Sequence, residues 1–259
     1  MASDGTPTIP HGSGLAAQRV DGGFGGRYDL DALNDFLMNI WEDNFIGDAL
    51  RGEYPAAKTN GASAAVTFTA GNDQGWLDLI TGTDNDGYAG QAMSDMLWTG
   101  DRGLLAEFLF ETPSSLATYK LEVGVADSTA QAGMVNSKSG VTSTGTDYAV
   151  LIYDSAHNSA LDLYHAKAGV TVAVENSNLV LAVSTLYYVA VRIVGDNVMF
   201  EIRGLSGTPN STTQYANVAA AAGIEGGTDI TPWIFTQSRA GSASRTTKLY
   251  KWRAVWPAY

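Results

Sequence analysis

Leu104-Leu105-Ala106-Glu107-Phe108-Leu109-Phe110-Glu111 decides the fold class. From Ala106 on, Ala, Phe and Phe alternate with Glu, Leu and Glu. That period of two belongs to a strand with one face turned inward. The same period recurs on both sides of it. Upstream it is seen in Ala65–Thr69 and Trp76–Ile80. Downstream it runs through Tyr119–Val125, Tyr148–Tyr153, Ala160–Tyr164, Val170–Val174 and Leu186–Val194, then Val198–Arg203, Trp233–Thr236 and Thr247–Trp256. Gly195-Asp196-Asn197 is a tight-turn signal, so Leu186–Val194 and Val198–Arg203 form a hairpin. At least ten strands follow one another with turn residues and no helical pattern between them. A parallel sheet would need crossover helices, so the sheets are expected to be antiparallel. About 200 residues of this kind suit a two-sheet jelly-roll sandwich better than an immunoglobulin-type domain. Residues 204–229, with the alanine run Ala219 to Ala222, read as a long loop carrying one short helical turn. No fixed-period repeat is present, which argues against a propeller or solenoid.

Outward of these strands the pattern changes. Residues 1–28 hold seven Gly and two Pro with almost no apolar periodicity and read as an extended or flexible arm, either a disordered tail or a segment that orders against a partner. Residues 29–45 read as a short amphipathic helix and linker. Asp29 is placed to cap it, and Leu30, Leu33, Leu37, Ile40 and Trp41 share one face with Phe36 at its edge. A lone helix this short needs something to pack on, either the chain's own body or another subunit. The residues with which the arm and helix would grip a partner are Phe24, Tyr28, Leu33, Phe36, Leu37 and Trp41. The sandwich itself is expected over 46–259.

Composition narrows the function classes. The chain has 259 residues, 45% of them apolar, which is enough for a real core. Lys and Arg number 15 against 27 Asp and Glu, a net charge of −12. Non-specific nucleic-acid binding draws its affinity from neutralised phosphates, so this balance argues against it. Cys is absent, and with it disulfides, thiolate catalysis and Cys-ligated metals. No run of 18 apolar residues predicts a membrane span, and the N-terminus lacks a basic region followed by an apolar one. The expectation is a chain made in the cytoplasm without an export signal. Charge is unevenly placed: residues 1–60 carry nine acids and four bases, whereas Ile230–Tyr259 carries Arg239, Arg245, Lys248, Lys251 and Arg253 with no acid. Opposite-signed ends suit head-to-tail contact between copies, or separate acidic and basic partners. The plainer reading is a last strand that turns Lys and Arg outward.

Catalytic signals are few. Glu107 and Glu111 point the same way on one strand about 13–14 Å apart, wider than the carboxylate pair of a glycosidase. The pattern is similar to the laminarinase type, whose active strand carries Glu, Asp and Glu at alternating positions. Here Leu109 replaces the Asp, so the motif is broken. His11, His157 and His165 share no metal spacing, and no G-x-S-x-G supports a triad. Thr83-Asp84-Asn85-Asp86-Gly87 has the residues of a calcium loop without the rest of its spacing, and the same residues suit any exposed turn. No metal or cofactor is assigned. Trp41, Trp76, Trp98, Trp233, Trp252 and Trp256 can form a core, a sugar-stacking platform or an interface. Trp252 and Trp256 are expected on one face with Ala254 between them, opposite Lys251, Arg253 and Val255.

Residues 42–257 resemble the concanavalin A-like, laminin-G-like jelly rolls. The segments that carry the resemblance are Trp41-Glu-Asp-Asn-Phe45 with Gly47 and Leu50, Gly75-Trp-Leu-Asp-Leu-Ile-Thr-Gly82, Glu107–Glu111, Val123-Gly-Val-Ala-Asp127, Glu201-Ile-Arg203 and the strand near Trp256, in that order. A cysteine-free version behind a Gly-rich arm is similar to virion structural proteins of tailed bacteriophages. That resemblance implies a non-enzymatic capsid decoration protein located on the virion. It would be an oligomer attached to the major capsid protein or another shell protein through its arm and helix. The alternative is a module that binds host-surface glycans from a phage tail or fibre. A glycosidase with a degenerate site stands behind both.

Overall fold

The computed structural model describes residues 38–45, 54–70, 75–94, 98–99, 102–127, 133–135, 145–194, 197–205, 214–218, 224, 227–241 and 243–257. The chain divides into two units, Met1–Asn39 with Pro257–Tyr259 and Ile40–Trp256. The second is an antiparallel two-sheet sandwich, and the described residues contain no α-helix.

The strands in chain order begin with β1 (Met38–Asp43), β2 (Lys58–Asn60), β3 (Ala65–Thr69), β4 (Trp76–Ile80), β5 (Tyr88–Ala92) and β6 (Trp98–Thr99). Then come β7 (Leu104–Glu111), β8 (Tyr119–Ala126), β9 (Tyr148–Asp154), β10 (Asn158–Lys167) and β11 (Val170–Val180). The chain finishes with β12 (Leu186–Val194), β13 (Asn197–Gly204), β14 (Gln214–Val218), β15 (Asp229–Ser238) and β16 (Thr246–Pro257). Sheet I has the order β14-β13-β12-β7-β16-β4-β3, with β1 also on β16. Sheet II has the order β11-β10-β9-β8-β15-β5-β2, with β6 also on β15.

Alternation along β7 sorts its residues as the sequence predicts. Ala106, Phe108 and Phe110 enter the core between the sheets, beside Leu77 and Leu79 of β4, Val189 and Val191 of β12 and Trp252 of β16. Leu121, Val123, Leu151 and Ile234 of sheet II complete that core. Each Val, Leu, Ile or Phe among these side chains contributes roughly 1.5–3 kcal/mol when taken out of water. Several polar groups inside are paired with one another. Tyr119 of β8 and Thr247 of β16 share a buried hydroxyl–hydroxyl bond, and burial raises the Tyr119 phenol pKa. Trp252 Nε1 donates to the Tyr54 hydroxyl at 2.9 Å, and that hydroxyl donates to Asp43 at 2.5 Å.

Sheet II is buried on its outer face as well. Tyr148, Val150, Ile152, Tyr164, Trp233 and Phe235 pack there with Met134 and Val135. Consequently β8, β9 and nearly all of β15 are buried along both faces.

Two expectations need correction. Residues 38–43 are a strand paired with β16, not the end of a helix, so the sandwich starts before residue 46. The remainder of the expected helix, and the arm, lie outside the described residues. Within the expected loop 204–229, Gln214–Val218 forms β14 and pairs with β13 from Val198↔Val218 to Ile202↔Gln214.

Candidate functional site

The outer face of sheet I at its β3–β4–β16–β7 end carries a compact aromatic and charged group. Register places its members. Lys248 of β16 lies between Asp78 of β4 and Glu111 of β7, and Asp78 is also opposite Thr67 of β3. Leu249 pairs with Phe110, but the next pair along is Lys251 with Leu109, so Tyr250 is the extra residue of a β-bulge. A bulge re-aims a side chain, and here Tyr250 joins Trp76 with ring centroids 5.9 Å apart and planes inclined at 50°.

Hydrogen bonds fix both rings. Trp76 Nε1 donates to Asp78 Oδ1 at 3.1 Å, and Thr69 Oγ1 donates to Asp78 Oδ2 at 2.9 Å. The Tyr250 hydroxyl donates to Glu111 Oε2 at 2.7 Å. Burial, then the hydrogen bond to Glu111 and the negative charges of Glu111 and Asp78, raise the Tyr250 phenol pKa and keep it a donor. Lys248 Nζ stands 5.6 Å from the Trp76 ring centroid and 3.7 Å from Glu111 Oε1. Trp76, Asp78, Glu111, Lys248 and Tyr250 are all half-buried, and Thr67 beside them is exposed. The group therefore offers apolar ring surface bordered by oriented polar atoms, the pairing that recognition of amphipathic small molecules needs.

The two glutamates singled out in the sequence are on this same outer face, pointing the same way as expected. Their surroundings differ. Glu107 is 2% exposed and bound by Arg253 on one side and by the Tyr188 hydroxyl at 2.6 Å on the other. Glu111 belongs to the aromatic group just described. The structure thus commits Glu107 to a buried ion pair and leaves Glu111 beside solvent.

The basic C-terminal segment is partnered within the molecule. Arg239 bonds Asp154, its Nη2 2.5 Å from Oδ2, and Arg245 donates twice to the Ala117 carbonyl. Lys248 faces Glu111, Lys251 bonds Glu42 at 2.7 Å, and Arg253 bonds Glu107. Outward-turned Lys and Arg on the last strand meet acids from elsewhere in the same sandwich. The opposite face of that strand is as expected, with Trp252 and Ala254 fully buried and Trp256 packed on the same core.

The outer face of sheet II holds a second charged group, closed by the chain itself. Lys120 and Glu122 are fully buried and 2.6 Å apart. Glu122 accepts from the Met134 and Val135 amides at 2.6 and 3.1 Å, and Lys120 donates to the Val135 carbonyl. Gly133 has φ +76°, and a Cβ there would stand 2.7 Å from the Glu122 carboxylate, so only glycine lets this segment lie so close. No sequence pattern marked this arrangement, because residues 133–135 have no periodicity of their own.

The remaining candidates take structural places. Asp84 Oδ2 accepts the Ala62 amide at 2.7 Å and the Asp84 carbonyl accepts Gly87 at 3.2 Å, so the 83–87 segment is a turn braced against its neighbour. Among the described residues no group of three or more His, Asp or Glu is placed to hold a metal. His157 is exposed in a turn. His165 is fully buried on β10 with neither ring nitrogen bonded, and burial lowers its pKa. Trp41 packs against the sandwich core with its ring 6.0 Å from Trp98, which in turn meets Trp256 at 5.4 Å. Phe24, Tyr28, Leu33, Phe36 and Leu37 lie outside the described residues, as does His11.

No protein-family model matches the chain, and no curated protein matches it. Solved structures do. A protein of unknown function from Shewanella oneidensis MR-1 superposes with a TM-score of 0.61 at 15% identity, covering 86% of this chain and 87% of that one. Arcelin-5, a lectin-like defense protein from Phaseolus vulgaris, gives 0.56 at 10% identity over 85% of this chain and 98% of its own. The winged bean acidic lectin complexed with methyl-α-D-galactose gives 0.54 at 8% identity over 85% and 98%. At such identities the likeness establishes the fold: a legume-lectin-like, concanavalin A-like β-sandwich.

Proposed function

We propose that the sandwich is a non-enzymatic glycan-binding module. The observation that carries this reading is the Trp76–Tyr250 pair on the outer face of sheet I, oriented by Asp78 and Glu111 and bordered by Lys248 and Thr67. A sugar has an apolar C–H face and a hydroxyl rim, and this group provides a ring surface for the first and charged or hydroxyl partners for the second. The fold shared with a lectin-like defense protein and with a galactoside-bound lectin supports the same reading. The test is a glycan array on the full chain, followed by titration of the best ligand against Trp76→Ala. Losing the stacking surface should weaken binding at least tenfold, as expected for about 1.4 kcal/mol or more. Binding by the wild type that survives Trp76→Ala unchanged would move the site elsewhere.

A second reading has the sandwich as a virion decoration protein. The Gly-rich sequence of residues 1–28, ahead of the sandwich, supports this reading by suiting an attachment segment. In that reading the N-terminal unit grips the shell and the sandwich is displayed. The two readings are compatible, since a displayed module can also bind host-surface glycans.

A further inference from the structure

We infer that the Trp76–Tyr250 platform selects sugars bearing a protonated amine over neutral or acidic ones. This rests on the glycan-binding reading and sharpens it.

Among the described residues two carboxylates, Asp78 and Glu111, face the platform and a single cation, Lys248, answers them. Both oxygens of Asp78 are taken by neutral donors, Trp76 Nε1 and Thr69 Oγ1, which orient the carboxylate without cancelling its charge. Glu111 spends Oε2 on the neutral Tyr250 hydroxyl and keeps only a 3.7 Å approach from Lys248 at Oε1. With Lys248 counted, the group is left one negative charge in excess. Burial first, and after it these same carboxylates, raise the Tyr250 phenol pKa.

Lys248 also marks where a cation rests. Its ammonium lies 5.6 Å from the Trp76 ring centroid, within reach of the negative ring face. The Lys248 side chain is 36% exposed and, among the described residues, is held only by that 3.7 Å ion contact with Glu111, so it can swing into solvent when a ligand arrives. An amino sugar would stack its apolar face on the rings, set its ammonium in the seat Lys248 vacates and turn a hydroxyl to exposed Thr67. A uronic or sialic acid would bring a third negative charge to the same place. The overall charge of −12 adds long-range attraction for the cation and repulsion for the anion.

Calorimetry on the full chain tests this with three probes of matched length: glucosamine oligomers, N-acetylglucosamine oligomers and oligogalacturonate. The expected order is glucosamine first, about tenfold tighter than the N-acetylated form at low salt, with oligogalacturonate silent. The margin should narrow with added salt and vanish as pH rises through the sugar amine's own titration. Lys248→Met removes the internal competitor and should widen the margin, whereas a Lys that merely supports the fold would leave it unchanged. Equal or tighter binding of the N-acetylated oligomer, lost with Trp76→Ala, overturns the amine preference and leaves the glycan reading standing. If neither these probes nor any glycan on the array is bound, the glycan reading falls, and the preference with it.

Discussion

His165 shows how one residue ties the interior to the medium. It sits on β10 with both ring nitrogens unbonded and no solvent contact, so its neutral form is favoured in the folded chain. The unfolded chain carries an ordinary imidazole, with a pKa of about 6.5. As pH falls through that value the unfolded state gains a proton that the folded state refuses, and stability declines. Above it both states are neutral and the residue contributes no slope. His165→Met should therefore flatten the loss of melting temperature between neutral and mildly acidic pH, and an equally steep loss in the variant would clear His165 of responsibility. The sequence offered this histidine only as one of three without a metal spacing. Its burial comes from its place on β10, opposite Ala149 of β9 and Val172 of β11, and no local pattern encodes that.

Strands were legible where one face is apolar and the other polar. β4, β7, β12, β13 and β16 all show that alternation, and their register follows it. β5 was not legible: Tyr88-Ala-Gly-Gln-Ala is buried at all five positions, contains no β-branched residue and reads as turn material. Packing explains its composition. A Cβ on Gly90 would stand 2.6 Å from the fully buried Trp233 ring, so the small residues of β5 are the room that Trp233 and Phe235 occupy. Gly90→Ala should cost about 2 kcal/mol by overpacking, read as a lower urea midpoint at unchanged slope. A neutral result would mean that Trp233 has space to move. β1 misled in the opposite way. Ile40 and Trp41 continue a helical spacing from Leu30, but pairing with β16 and the contact with Trp98 prevail over it. The platform was half legible. Trp76 and Glu111 stood out as residues, whereas their meeting depends on the Tyr250 bulge, which alternation cannot announce.

For the whole molecule the useful division is between the sandwich and the residues before it. Because β1 belongs to the sandwich, a deletion that probes the N-terminal unit must stop before Met38. A chain lacking residues 1–37 should keep the melting temperature of the full chain and its glycan affinity. If the decoration reading holds, it should also lose its ability to sediment with isolated virion shells. Full retention of sedimentation would place the attachment surface on the sandwich. The expectation of head-to-tail contact through opposite-signed ends weakens at this scale, since the basic segment finds its acids at home: Glu42, Glu107, Glu111 and Asp154. Composition alone could not reveal how the two signs were matched.

The extra residue in β16 has a genetic meaning. Leu249 and Trp252 lie on the inward side whether or not Tyr250 is present, and Lys251 would follow Leu249 in ordinary alternation if it were gone. An in-frame loss of one codon would thus remove half of the aromatic pair and leave the hydrophobic interior as it was. Descendants of such a chain could gain or shed this surface in a single mutational event, while every other strand went on being inherited as before.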